Sequence, residues 1–232
     1  MSRSSQLRKI HAKMRLNTKS KRQDEQIKTV VQCVKEELEK ELNVQLAWES
    51  QLSLKSIVSD LRSRFPDVSF TDPVAKSFMR PDGGITYLLD KSGARFPILF
   101  GEVKNQGTND VRIKEGLKKQ SKGNAVEGLG KNVIGLRIFM LSESIFPFVC
   151  FGDGCDFEEK SSILDRALTI SMFGALNEKH IFNEGSNGIF NRGSYYFRAK
   201  EWKVEEIFDI LYDVAKSSIY YYFSKYGEDR YR

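Results

Sequence analysis

The chain has 232 residues, 40% of them hydrophobic, which is enough to build the core of one domain, and a net charge of +6. No run of about eighteen apolar residues occurs, which excludes a membrane-spanning helix, and the basic N-terminus lacks the apolar stretch of a secretory signal. Three cysteines (Cys33, Cys150, Cys155) and two histidines (His11, His180) offer neither a disulfide framework nor a zinc-ligand spacing, so a reducing, intracellular setting is expected.

Residues 1–23 contain eight Lys or Arg and no acid, so the rest of the chain is slightly acidic. The run reads as a mobile basic arm that a polyanion would attract, and equally as a solubilising tail. Residues 24–232 read as a single domain. Its first helix is predicted from about Asp24 to Asn43, with Ile27, Val31, Val34, Leu38 and Leu42 at helical spacing and Asp24 as N-cap. A second starts after Ser53, with Leu54, Ile57, Val58, Leu61 and Phe65 on one face and Pro66 beyond its end. Both stripes read as core-facing.

Ile85–Leu89, the turn residues Asp90–Gly93 and Phe96–Lys104 read as a β-hairpin. A polar, glycine-containing stretch covers roughly residues 105–123. A helix is predicted over Asn124–Leu141, although Gly128, Gly130 and Gly135 lower its propensity. Phe146–Phe151 reads as a buried strand ended by Gly152-Asp153-Gly154, and a further helix is predicted over about Ser162–Phe173. Residues 183–194 read as a long loop. A last helix begins near Glu201 or Trp202 and carries Val204, Ile207, Phe208, Ile210, Leu211, Val214 and Ile219. This order predicts an α/β fold, a mixed central β-sheet flanked by helices.

The residues with the most chemistry are Glu102-Val103-Lys104. On a strand, residues i and i+2 share a face, so a carboxylate and an ammonium project together from the end of an apolar strand. A carboxylate holds a hard cation through oxygen. A lysine beside it can orient or deprotonate a water and offset charge developing on a phosphorane. One carboxylate rarely holds magnesium alone. Asp82, in Pro81-Asp82-Gly83-Gly84 just before the hairpin, can supply the second. Glu-x-Lys is also the pattern of a solvated ion pair, and Pro-Asp-Gly that of a turn. The apolar run Phe96–Phe100 favours chemistry, because it sets the charged pair at a core boundary.

Pro81-Asp82-Gly83-Gly84-Ile85 followed by Glu102-Val103-Lys104-Asn105-Gln106-Gly107 resembles the active-site segments of the EcoRI family of type II restriction endonucleases. The likeness continues in Gly123-Asn124-Ala125-Val126-Glu127, Lys131-Asn132, the block Phe139–Val149, Glu201-Trp202 and Phe208–Asp213. It spans about residues 80–218, and none is read before about residue 75. The resemblance implies the PD-(D/E)xK restriction-endonuclease-like fold and a homodimer. It implies Mg2+-dependent hydrolysis of double-stranded DNA at a short palindrome, leaving 5′-phosphates. It implies a bacterial cytoplasmic enzyme paired with a DNA methyltransferase. By position, Asp82 and Glu102 become metal ligands, the Val103 carbonyl a further metal contact, and Lys104 the catalytic lysine.

Asn124 matches a family asparagine that reads adenine. An amide can pair with adenine N6 and N7, and Asn is equally a good helix N-cap. Glu127 resembles a glutamate that crosslinks the recognition elements, although alone it would be a surface acid. An arginine follows that glutamate in the family, and here the position is Gly128. Gln120, Ser121 and Lys122 also depart from the family pattern, and Lys122 or Lys131 could serve as the substitute cation. Arg166 resembles one of two recognition-loop arginines, able to grip guanine or to form a salt bridge. An AATT-centred palindrome is the site implied, and a palindrome calls for a two-fold symmetric reader. The run Tyr220–Phe223 suits such an interface or, more simply, the core. Three rival readings stay open: a structure-specific repair nuclease or resolvase of the same fold, a non-catalytic DNA-binding module, and a globular enzyme unrelated to DNA.

Overall fold

The computed structural model describes residues 3–105, 108–119, 124–158, 161–170 and 176–232. Its first helix, α1 (Arg3–Leu42), begins well before the expected start. The upstream residues hold no Gly or Pro and many good helix formers, so the backbone has no stop signal there. Asp24 therefore lies inside the helix and caps nothing, which corrects its reading as an N-cap. The stripe Ile27, Val31, Val34, Leu38 and Leu42 is buried, as its spacing requires. Asn43, at φ 52°, takes the left-handed conformation that ends helices and turns the chain into β1 (Gln45–Glu49).

A two-residue strand β2 (Leu52–Ser53) leads directly into α2 (Leu54–Arg64) and pairs with β3 (Phe78–Met79). Ile57 and Leu61 of α2 are buried, whereas Phe65, just past its end, is exposed. The expected hairpin forms as β4 (Gly84–Leu89) and β5 (Arg95–Asn105). Its register shifts between Thr86 and Tyr87, opposite Pro97 and Leu99. Proline has no N–H for a ladder, and the irregularity accommodates it.

Then follow α3 (Thr108–Lys114), α4 (Asn124–Phe139), β6 (Phe148–Asp153), α5 (Ser162–Ile170), the single turn α6 (Gly185–Gly188), β7 (Ser194–Arg198) and α7 (Val204–Tyr226). Beyond Ile170, the predicted extension to Phe173 lies outside the described residues. Helix α4 forms despite its glycines, and Gly135 has a packing reason. A methyl there would overlap Met79 Sδ, so the glycine lets buried Met79 pack against the helix.

The main sheet runs β1-β4-β5-β6-β7. Strands β1, β4 and β5 are antiparallel, and β5, β6 and β7 are parallel. Helices α1 and α7 pack on each other and on β5. Strand β7 was not expected from the sequence, although its Tyr195 and Phe197 are buried. The preceding segment is a loop containing one helical turn. It is tied by Asn191, whose Nδ2 donates to Ile181 O and Asn183 Oδ1 at 2.9 Å each.

The aromatic run on α7 is divided. Tyr222 is fully buried and donates to Pro97 O at 3.0 Å, Phe223 is buried, and Tyr220 is exposed. The Tyr221 hydroxyl donates to Glu143 at 2.9 Å, and Lys225 reaches the same carboxylate at 2.8 Å. Among the described residues no helix is long and apolar enough to cross a membrane.

Candidate active site

The site is built where β4 begins and β5 ends. Gly83 N–H donates to Gly101 O at 2.9 Å, and the Trp48 indole N–H donates to Gly83 O at 2.9 Å. Gly84 has φ +76°, and a Cβ there would collide with the Trp48 indole and Glu49 O. Glycine is thus required at Gly84, and the clamped turn fixes Asp82 beside the far end of β5.

The two carboxylates hold each other through the main chain. Asp82 N–H donates to Glu102 Oε2 at 3.1 Å, and Val103 N–H donates to Asp82 Oδ2 at 3.2 Å. Lys104 Nζ lies 3.4 Å from Asp82 Oδ2 and pairs with Glu102 Oε1. Asn132 of α4 donates from Nδ2 to Glu102 Oε1 at 3.2 Å and Oε2 at 3.4 Å. In the parallel pairing of β5 with β6, Glu102 lies opposite buried Cys150.

Glu102 is 1% exposed. Its pKa is pushed up to about 7, first by burial, with Lys104 opposing and the charge of Asp82 adding. Burial works against the Lys104 charge, but Glu102 and Asp82 outweigh it and hold the ammonium protonated. Half-buried Asp24 of α1 feels the same field: burial and then the Asp82 charge raise its pKa. The Glu102 carboxylate therefore sits beside a second carboxylate where burial and the Asp82 charge both oppose its ionisation. Their donors are all oxygen. Such a set fits a hard divalent cation, which would relieve that opposition.

The residues expected to act on DNA are spread differently. Lys131 and Gly128 of α4 line the open cleft above Asp82, Glu102 and Lys104, together with Lys76 and Arg80. Glu127 is exposed near the start of α4 and does not line that cleft. Asn124 is the first residue of α4 and Arg166 lies within α5, but their side chains fall outside the description, and Lys122 lies outside the described residues. Sequence reasoning missed Lys76, Arg80 and Asp24 as neighbours of the site. It also gave Asn132 no role. The signal for Asn132 was helical spacing, since Asn124, Gly128 and Asn132 recur every four residues.

A mixed sheet flanked by helices, with the carboxylates and lysine at the hairpin end, defines the class: this is a restriction-endonuclease-like α/β fold. The family model described as restriction endonuclease EcoRI matches residues 11–167. The type II restriction enzyme RsrI of Cereibacter sphaeroides is 30% identical over 210 residues, covering 76% of each chain. The type II restriction enzyme EcoRI of Escherichia coli is 30% identical over 212 residues, covering 75% of this chain and 76% of its own. The chain belongs to the EcoRI restriction endonuclease family and is a type II site-specific deoxyribonuclease. The family match begins at residue 11 and so takes in the region before about residue 75, where the sequence alone shows no resemblance. It takes in most of α1, whose residues carry few side chains distinctive enough to recognise singly.

Proposed function

We propose that the chain cuts both strands of double-stranded DNA at a short, AATT-centred palindrome, with Mg2+ as cofactor and 5′-phosphate ends as products. The observation that carries this reading is the meeting of Asp82, Glu102 and Lys104 at the floor of a cleft edged by Lys76, Arg80 and Lys131. Asp82, Glu102 and the Val103 carbonyl would hold the cation, which would supply an activated water and charge stabilisation for the departing oxygen.

The chain's own groups do the rest. Lys104, kept charged by its two carboxylates, orients the attacking water and offsets the charge that develops on the phosphoryl oxygens. The basic rim attracts the backbone phosphates irrespective of sequence, and the N-terminal basic run adds to that attraction. Asn124, Glu127, Lys122, Lys131 and Arg166 form the DNA-reading set, in which Asn124 pairs with adenine and Arg166 with guanine.

A palindrome is read by a homodimer. Ile134, Ile138 and Leu141 support one. Ile134 and Ile138, 63% and 37% exposed, stand one turn apart on α4, and Leu141, 51% exposed, follows just past its end. A cognate DNA methyltransferase is expected to protect the host's own sites.

Digestion of a plasmid of known sequence, with Mg2+ and with or without EDTA, tests the reading. Discrete, EDTA-sensitive fragments are expected, with sequenced ends that share one palindrome. Unpatterned degradation, or EDTA-insensitive cutting, would overturn it.

A further inference from the structure

Glu102 is gripped from three directions. Lys104 and the Asp82 N–H hold one oxygen each. Asn132 Nδ2 spans both oxygens, at 3.2 and 3.4 Å. The first two donors come from β5 and from the turn that leads into β4. Asn132 alone comes from another element, α4. An amide facing a carboxylate can present only its N–H side, so this contact has one sense. Hydrogen bonds to a charged acceptor are stronger than neutral ones, and a donor shared by both oxygens resists rotation of the carboxylate plane.

Helix α4 also begins at Asn124 and carries Glu127, two of the residues proposed to read DNA. An α-helix is stiff and rises about 1.5 Å per residue, so a shift at its start is felt at Asn132 roughly 12 Å along. We infer that Asn132 is a positioning residue: it sets the Glu102 carboxylate for the cation and makes that setting depend on where α4 sits. This rests on the proposed role of Glu102 as a metal ligand. It goes further by assigning a residue that acts on the ligand and not on the cation or the DNA.

Partners of metal ligands that do not touch the metal still control its affinity, by about 10–100-fold when removed. The test is Mn2+ binding by the full chain without DNA, with free Mn2+ followed by electron paramagnetic resonance. The proteins are wild type, Asn132→Ala, Asn132→Leu and Glu102→Gln. All are measured at a temperature where circular dichroism shows each one folded. Asn132→Leu keeps the branching at Cγ and favours the helix while removing the donor, so the test survives if the alanine variant does not fold.

The expected result is an affinity about tenfold or more weaker in both Asn132 variants, and a greater loss in Glu102→Gln. A residue that merely packs would lower the melting temperature and leave Mn2+ affinity unchanged. If Glu102→Gln loses Mn2+ but both Asn132 variants bind as wild type, the positioning role is wrong and the metal site stands. If Glu102→Gln itself binds as wild type, the site assignment fails, and the inference with it.

Discussion

The main-chain N–H of Asp82 donates to Glu102 Oε2 at 3.1 Å, and the Val103 N–H donates back to Asp82 Oδ2 at 3.2 Å. Each carboxylate is thus aimed by the backbone that carries the other. That backbone geometry depends on the tight turn at Gly83 and Gly84.

Gly84→Ala tests that dependence. Alanine would have to adopt φ +76° and displace the Trp48 indole. Left-handed strain and overpacking together cost about 2–5 kcal/mol. The expected outcome is a lower midpoint in urea denaturation, and a loss of cleavage larger than the loss of DNA affinity. Unchanged stability would show that the turn is not the clamp described.

The C-terminal end of the chain docks on the hairpin turn through Asp90. The Ser92 hydroxyl, against the effect of burial, and then Arg230 with the N–H groups of Ala94 and Ser92 hold this carboxyl below the usual carboxylate range. Its folded pKa is therefore lower than its unfolded one, near about 4. The stability it contributes is full above that value and is lost as pH falls through the folded value. Melting temperatures of wild type and Asp90→Asn should differ most near neutral pH and converge below about pH 4. A gap that stays constant or widens in acid would contradict the assignment.

The exposed stripe on α4 gives a third expectation. Ile134→Asp combined with Ile138→Asp places two charges on that face. Sedimentation should change from dimer to monomer at micromolar concentration, while circular dichroism stays that of the folded chain. A double variant that remains dimeric would put the interface elsewhere.

Much of this was legible in the sequence, for identifiable reasons. The hairpin β4–β5 announced itself through two largely apolar runs on either side of the Asp90–Gly93 turn, and the buried face of α1 through Ile27, Val31, Val34, Leu38 and Leu42. The neighbourhood of Asp82, Glu102 and Lys104 followed from the i, i+2 rule and the hairpin. Other features depend on long-range packing that no local pattern encodes. Strand β7 carries buried aromatics directly after a loop rich in Gly and Asn, so its strand character was masked by the turn signals beside it. Gly135 counted against α4 by propensity, yet it is where Met79 needs room. Asp24 looked like a cap only because the helix before it was not seen. Asn132 needed the approach of α4 to β5, which only the tertiary structure supplies.

As proposed, Glu102 and Lys104 carry the chemistry and not the DNA affinity. The most direct measurement compares wild type, Glu102→Ala and Lys104→Ala on one DNA fragment that wild type cuts. Cleavage is followed with Mg2+, and binding is followed by fluorescence anisotropy with Ca2+ in its place. Cleavage should fall by at least about a hundredfold in both variants, with specific binding within about tenfold of wild type. Either variant cutting at near the wild-type rate would contradict the site assignment.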